Sequence, residues 1–184
     1  RRGVAWLTFW GLLTQAAAGL FLAPTVVEAA LRVGQTATDY RPFLNEFTIG
    51  WAILALAGLA SAWLLGRMAQ REQRPADSGL LHGLATLTFI WGAAWWFGGG
   101  LLETTTVPDA YVASAAILFL TLSTVVMDVI GRRLRFALFS VPLWGLLPAL
   151  AVLAIIQVGE INSPLQGGAW LVWPLALAAH VWML

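Results

Sequence analysis

The sequence predicts an all-α fold, a polytopic bundle of about six transmembrane helices. Of the 184 residues, 60% are hydrophobic and only 10% are charged, whereas a soluble domain usually carries about 25% charged residues. The mean hydropathy is +0.80. The apolar residues are collected in long runs separated by short polar stretches, and most runs have the length of about 20 residues that a helix needs to cross a bilayer.

This composition excludes several classes of protein. A soluble globular protein could not shield so much apolar surface from water, and disordered chains and nucleic-acid-binding proteins need far more charge. The chain has no cysteine, and all ten of its positively charged residues are arginine. Disulfides, thiolate metal sites, cysteine nucleophiles and Schiff-base lysines are therefore excluded for this chain. No metal-binding or cofactor motif is present, and we predict neither a metal nor a cofactor.

The predicted spans follow one another along a single transmembrane region that covers residues 1–184. Their ranges are 4–23, 47–66, 80–99, 110–130, 136–158 and 169–184. Pro24 is expected to end the first span, and Pro142 and Pro148 are each expected to kink the fifth, because proline removes a backbone hydrogen bond. The sixth run is too short for the hydrocarbon core of roughly 30 Å. We therefore expect the chain to be a fragment of a longer protein.

The arginines predict the orientation of the spans. Eight of them fall on one side of the predicted membrane, before the first span and in the connections after the second and fourth spans. The other side has only Arg32 and Arg41. Cytoplasmic loops carry an excess of arginine and lysine. The start of the chain is therefore predicted to be cytoplasmic, in the inner membrane of a bacterium, and the opposite face is called the outer face below.

Two polar side chains are predicted to lie inside the membrane, Gln15 in the first span and His180 in the sixth. A buried glutamine needs a partner on a neighbouring helix. An ionisable group deep in a membrane is a functional candidate by default. The alternative for His180 is a neutral imidazole that is hydrogen-bonded to a neighbouring helix.

Two further patterns predict packing and pairing rather than chemistry. In the second span, Gly58, Ala62 and Gly66 stand four residues apart and form one smooth face against which another helix can pack closely. At the cytoplasmic end of the fourth span, Asp128 and Arg132 have the i, i+4 spacing of an ion pair on one helix face.

A candidate polar site is predicted at the outer face, from Arg41, Asn45, Glu46 and Glu103. The first three precede or begin the second span, and Glu103 follows the third. Because a short connection joins these spans, their outer ends should be close together. Arg41 would then pair with a carboxylate of Glu46 or Glu103. The alternatives are that Asn45 is only a helix cap and that Arg41 meets a lipid phosphate or Asp39.

Tryptophans are expected to surround this site. The chain has 11 tryptophans, and Trp51, Trp95 and Trp96 are predicted to form an aromatic wall at the outer face. The run Gly98-Gly99-Gly100 after Trp95 and Trp96 is expected to let the backbone turn sharply toward Glu103. The simpler interpretation of these tryptophans is the aromatic belt that many membrane proteins have at the interface.

Three stretches together resemble a known family. They are residues 42–45 (PFLN), 95–103 (WWFGGGLLE) and 169–180 (AWLVWPLALAAH). In this order they resemble the large bacterial membrane proteins of the domain of unknown function 2339 family. The resemblance covers most of the chain and implies a bacterial inner membrane and a longer chain with many spans. It implies no activity.

Three functions remain open on the sequence. The first is a transporter or flippase-like protein that handles an envelope lipid or a lipid-linked sugar, which fits the kinked spans and the acidic, aromatic outer face. The second is a non-catalytic scaffold or assembly subunit. The third is a membrane enzyme at the outer face, with Glu103 or Asp109 as acid or base. The expected partners are membrane lipids, the remainder of a longer chain or other membrane subunits, and no nucleic acid.

Overall fold

The fold was analysed in a computed structural model, which describes residues 10–25, 28, 43–161 and 167–183. These residues form α-helices and short 3-10 turns and contain no strand, so the predicted all-α class is confirmed. The helices are α1 (10–25), α2 (Glu46–Arg71), α3 (Pro75–Thr104), α4 (Val112–Leu134), α5 (Val141–Ile161) and α6 (Ala169–Met183). The 3-10 turns Asp109–Tyr111 and Ala137–Ser140 precede α4 and α5.

Four of the described segments are long and apolar enough to cross a membrane. They are Glu46–Arg71, Pro75–Thr104, Asp109–Leu134 and Ala137–Gln157. They coincide with the second to fifth predicted spans, and they indicate a membrane-embedded protein. The apolar helix Ala169–Met183 is shorter.

The chain divides into two compact units, Arg1–Gly100 and Leu101–Leu184. In the first unit α2 and α3 are packed closely at two glycines. A methyl group built on Gly58 would lie 2.8 Å from the Cα atom of Gly92, so the two backbones are in direct contact. The packing face predicted on α2 is confirmed, since Gly58, Ala62 and Gly66 are all buried. α1 packs on α3 through Gly19, which lies against the rings of Trp91 and Trp95.

In the second unit α4 is the central helix and contacts α5, α6 and both 3-10 turns. One hydrogen bond joins the start of α4 to the residues just before α6, and another joins the end of α4 to the end of α6. Ser114, near the start of α4, donates its hydroxyl to the carbonyl of Gly167 at 2.6 Å. Arg132, near the end of α4, donates to the carbonyl of Met183. α4 and α6 therefore run parallel and in register.

Three details of the helices differ from the sequence predictions. α1 is helical at Pro24 and at residue 25, so Pro24 does not end the helix, because a proline inside a helix removes one backbone hydrogen bond and can kink the helix without ending it. Pro142 lies in the first turn of α5, where its missing N–H is not needed, and only Pro148 lies inside the helix. The run Gly98-Gly99-Gly100 stays helical within α3 and makes no turn. Glycine is tolerated there because lipid offers the backbone no partner other than the helix itself.

Candidate functional site

The second unit contains a polar cluster at the end of α4, in which the buried Asp128 is bound by Ser140 and by Arg132, whose side chain is 60% exposed. Asp128 is only 1% exposed. Its Oδ2 accepts a hydrogen bond from Arg132 Nε at 2.7 Å, and its Oδ1 accepts one from the Ser140 hydroxyl at 2.7 Å. The predicted pair between Asp128 and Arg132 is thus confirmed. A buried carboxylate whose two oxygens both have partners avoids much of the cost of leaving water.

The cluster connects three segments of the second unit. Arg132 donates one hydrogen bond from Nε to the carboxylate of Asp128 on α4 and another from Nη2 to the carbonyl of Met183 at the end of α6. Ser140 comes from the 3-10 turn before α5. A guanidinium suits this position because its donors are fixed in a planar fork and can serve a carboxylate and a carbonyl together. The ends of α4 and α6 and the start of α5 are therefore held by one set of polar bonds.

His180 lies on α6 at about the level of this cluster along the helix axes. It stands one turn before Met183 on α6, as Asp128 stands one turn before Arg132 on α4. Because the helices are parallel and Arg132 binds Met183, His180 and Asp128 lie at about the same level. The His180 side chain is 7% exposed, and its Nδ1 has no hydrogen-bond partner among the described residues. The neutral imidazole that is hydrogen-bonded to a neighbouring helix stays an alternative prediction, and the described residues supply no such partner to Nδ1.

A second polar contact lies toward the other end of α5 and α6. The indole of Trp173 donates to Oε1 of the buried Gln157 at 3.3 Å. Each of the two helices also has an internal proline, Pro148 in α5 and Pro174 in α6. A proline leaves a carbonyl of the preceding turn without its usual donor. α4 thus packs against two helices whose backbone hydrogen bonding is interrupted.

Of the predicted outer polar site, the structure describes Asn45 and Glu46 in the first unit and Glu103 in the second. Asn45 caps α2, with its Oδ1 accepting from the backbone N–H of Thr48 at 2.9 Å, and Glu46 lies in the first turn of α2. The interpretation of Asn45 as a cap is confirmed. Arg41 lies outside the described residues. Glu103 is only 4% exposed and belongs to the second unit. The proximity of Glu103 to Arg41, Asn45 and Glu46 stays a prediction.

The predicted aromatic wall consists of two pairs within the first unit. Trp51 and Trp96 meet edge to face, with ring centroids 5.7 Å apart. Trp95 instead meets Trp91, at 6.0 Å. Trp51 is buried, with its ring directly on Gly99. A Cβ at position 99 would lie 2.5 Å from the Trp51 ring. The close approach of this ring therefore accounts for a glycine at position 99, and no backbone turn is needed to account for it.

Gln15 has the neighbouring-helix partner that the sequence predicts. Its Nε2 donates to the hydroxyl of Ser61 on α2 at 3.1 Å. The Oε1 atom of Gln15 is buried and has no partner in the part of the chain that the structure describes. The hydrogen bond to Ser61 joins α1 to α2, as is typical of polar contacts between packed membrane helices.

The sequence prediction missed Ser140, Gln157 and the Met183 carbonyl as parts of polar contacts. Ser140 and Gln157 each stand in a strongly apolar stretch, and that isolation was the available signal. The Met183 carbonyl has no such signal, because every residue has a carbonyl.

Comparison with known proteins adds no relative. The chain matches no protein-family model, no curated protein and no solved structure. The resemblance to the domain of unknown function 2339 family therefore stays a prediction. Within the described residues, no group of three or more His, Cys, Asp or Glu side chains could hold a metal ion.

Proposed function

We propose that the chain is the membrane region of a transporter- or flippase-like protein of the bacterial inner membrane, which handles an envelope lipid or a lipid-linked sugar. The arginine distribution supports a cytoplasmic start of the chain. The resemblance to the domain of unknown function 2339 family supports the bacterial inner membrane. The orientation can be tested with single cysteines at Gln70 and Thr105, and only the one at Thr105 should react with an impermeant reagent from outside.

One observation carries the proposal of transport: the Nδ1 atom of the buried His180 has no hydrogen-bond partner within residues 10–25, 28, 43–161 and 167–183. A polar atom that is buried and unpaired costs free energy. Ionisable groups inside membrane proteins usually mark a path for a substrate or a proton. An imidazole with one open nitrogen can exchange a hydrogen bond with a polar headgroup that passes it.

The helices around His180 support the same function. α5 and α6 each contain an internal proline, at Pro148 and Pro174, and both pack on α4. Interrupted hydrophobic helices line the substrate sites of many transporters. The Asp128 cluster at the level of His180 would then hold the ends of these helices together while the substrate passes.

Transport can be measured on the intact protein in vesicles. Fluorescent phospholipid and fluorescent lipid-linked sugar are placed in the inner leaflet, and a membrane-impermeant quencher reports their arrival in the outer leaflet. We expect the unaltered protein to move at least one of these lipids. His180→Leu should abolish the movement, because leucine fills the same space without a polar atom.

His82→Gln is the matched control. His82 is an exposed histidine on α3, and its Nδ1 is hydrogen-bonded to the carbonyl oxygen of Ser78 at 2.9 Å. Its substitution should leave the movement unchanged. Movement by His180→Leu at the unaltered rate would overturn the assignment of His180. Absence of movement for every lipid tested with the unaltered protein would overturn the transport function.

A scaffold or assembly subunit is the second candidate, and the cluster of Asp128, Arg132 and Ser140 favours it. Both oxygens of Asp128 are bound within the second unit, so this buried charge needs no substrate to satisfy it. For a scaffold, Asp128→Asn and His180→Leu would change the stability of the protein and leave lipid distribution unaffected.

A further inference from the structure

The predicted topology places two arginine-containing connections on the same side of the membrane. They differ in how many acidic residues accompany the arginines. Between α2 and α3, the arginines are accompanied by acidic residues. Arg74 lies 4.0 Å from Asp77, and Glu72 adds a second carboxylate. Arg67 lies over the ring of Trp63, 5.1 Å from its centroid. The two carboxylates of Glu72 and Asp77 therefore offset part of the positive charge of this connection.

The connection between α4 and α5 has a different balance. Arg132, Arg133 and Arg135 lie within four residues, and Asp128 is the nearest acidic residue in the sequence. Both oxygens of Asp128 are already bound by Arg132 and Ser140. Arg133 and Arg135 are exposed, and no acidic side chain in the described ranges pairs with either of them. These two exposed arginines at the end of α4 are called the arginine pair below.

The backbone that carries the arginine pair is held in place. Arg135 is in the left-handed region with φ 53°, and its N–H donates to the carbonyl of Arg132 at 3.3 Å. The N–H of Phe136 donates to the carbonyl of Gly131 at 2.9 Å. Phe136 and Phe139 are buried against each other, with ring centroids 5.1 Å apart. Because the backbone is ordered before binding, a ligand of the arginine pair would lose little entropy in ordering it.

The segment that follows the arginine pair in the sequence exposes apolar side chains. Leu134, between the two arginines, and Val141, at the start of α5, are exposed, and Trp144 is 75% exposed one turn into α5. Tryptophan side chains favour the headgroup level of a membrane, since the ring is apolar and the N–H is polar. Guanidinium groups next to exposed apolar helix surface fit a ligand with an anionic head and an apolar body.

We propose that Arg133 and Arg135 bind the phosphate of an anionic phospholipid, with Trp144 packed against the glycerol and upper acyl region. Arginine binds phosphate with paired, charge-assisted hydrogen bonds. Arginines next to a membrane span strengthen binding to an anionic leaflet. This inference does not depend on a transport function, since a scaffold would bind the lipid equally.

The inference can be tested on the intact protein in detergent, with phosphatidylglycerol or phosphatidylcholine added. Native mass spectrometry counts the retained lipid, and a titration gives the affinity. Arg133→Gln combined with Arg135→Gln should weaken phosphatidylglycerol binding about 30-fold. Phosphatidylcholine binding should not change.

Arg71→Gln combined with Arg74→Gln is the matched control, since it removes the same charge from the connection that also carries Glu72 and Asp77. We expect it to weaken phosphatidylglycerol binding less than about threefold. An equal loss in both double variants would show a nonspecific charge effect and overturn the proposal. Competition by free glycerophosphate at the concentration of the lipid would show a soluble-anion site, which also overturns it. If the double variant does not fold, the single exchange Arg133→Gln should still lower the affinity, and an unchanged affinity would contradict the proposal.

Discussion

Gly92 of α3 is the position where one added methyl group should have the largest effect on the packing of the first unit. A Cβ at Gly92 would lie 2.7 Å from the backbone N of Leu59 and 2.9 Å from the backbone O of Ala55. Ordinary van der Waals contact begins at 3.4 Å. Both neighbours are backbone atoms, so no side-chain rotation relieves the contact, and the two helices must move apart.

The expected cost of Gly92→Ala follows from this displacement. Overpacking of a close contact costs about 1–3 kcal/mol, whereas alanine in a helix interior gains up to about 1 kcal/mol over glycine. Gly83→Ala on the same helix is the control, because a Cβ there meets nothing within 4 Å. Gly83→Ala should therefore show only the stabilisation that alanine gives over glycine in a helix interior. The difference in free energy of unfolding between the two variants isolates the steric cost, at about 1–3 kcal/mol.

The assay is reversible unfolding of the intact protein in mixed micelles, with sodium dodecyl sulfate as denaturant. The far-ultraviolet circular dichroism of the helices is the signal. Gly92→Ala should unfold at a lower denaturant fraction than the unaltered protein or no higher, and Gly83→Ala at the same or a higher one. Equal stability of Gly92→Ala and Gly83→Ala would refute the direct backbone contact between α2 and α3.

Two further predictions concern the end of α4. Asp128→Ala should lower the free energy of unfolding by about 2–3 kcal/mol, because Ser140 and Arg132 each lose a hydrogen-bond partner. This loss is smaller than the loss expected on breaking a fully buried ion pair, because the Arg132 side chain is 60% exposed. Asp128→Asn should cost less in the same titration, and equal costs would contradict the role of the charge. Arg135→Gly should raise the free energy of unfolding by about 1 kcal/mol in detergent without anionic lipid, because glycine adopts the left-handed conformation freely. A destabilised Arg135→Gly would contradict that reasoning.

The sequence by itself determined the local features of this protein. Run length and apolar content located α2 to α5, since lipid leaves the backbone only helical hydrogen bonding. The cap at Asn45 and the pair of Asp128 and Arg132 were also predictable, because their partners are three or four residues away in the chain. The small-residue face that includes Gly58 was recognisable for the same reason.

Only the tertiary structure decided which faces and which distant groups meet. Gly58 could have packed against any smooth helix, and only the fold selects Gly92. The glycine run after Trp96 was predicted to turn, but the ring of Trp51 packs on Gly99 and the run stays helical. Ser140 and the Met183 carbonyl reach the cluster from 12 and 51 residues away in the chain. A long apolar run specifies a membrane helix by itself, because lipid leaves the backbone only internal hydrogen bonds. The partner of each helix face depends on shape and hydrogen bonding between segments that are far apart in sequence.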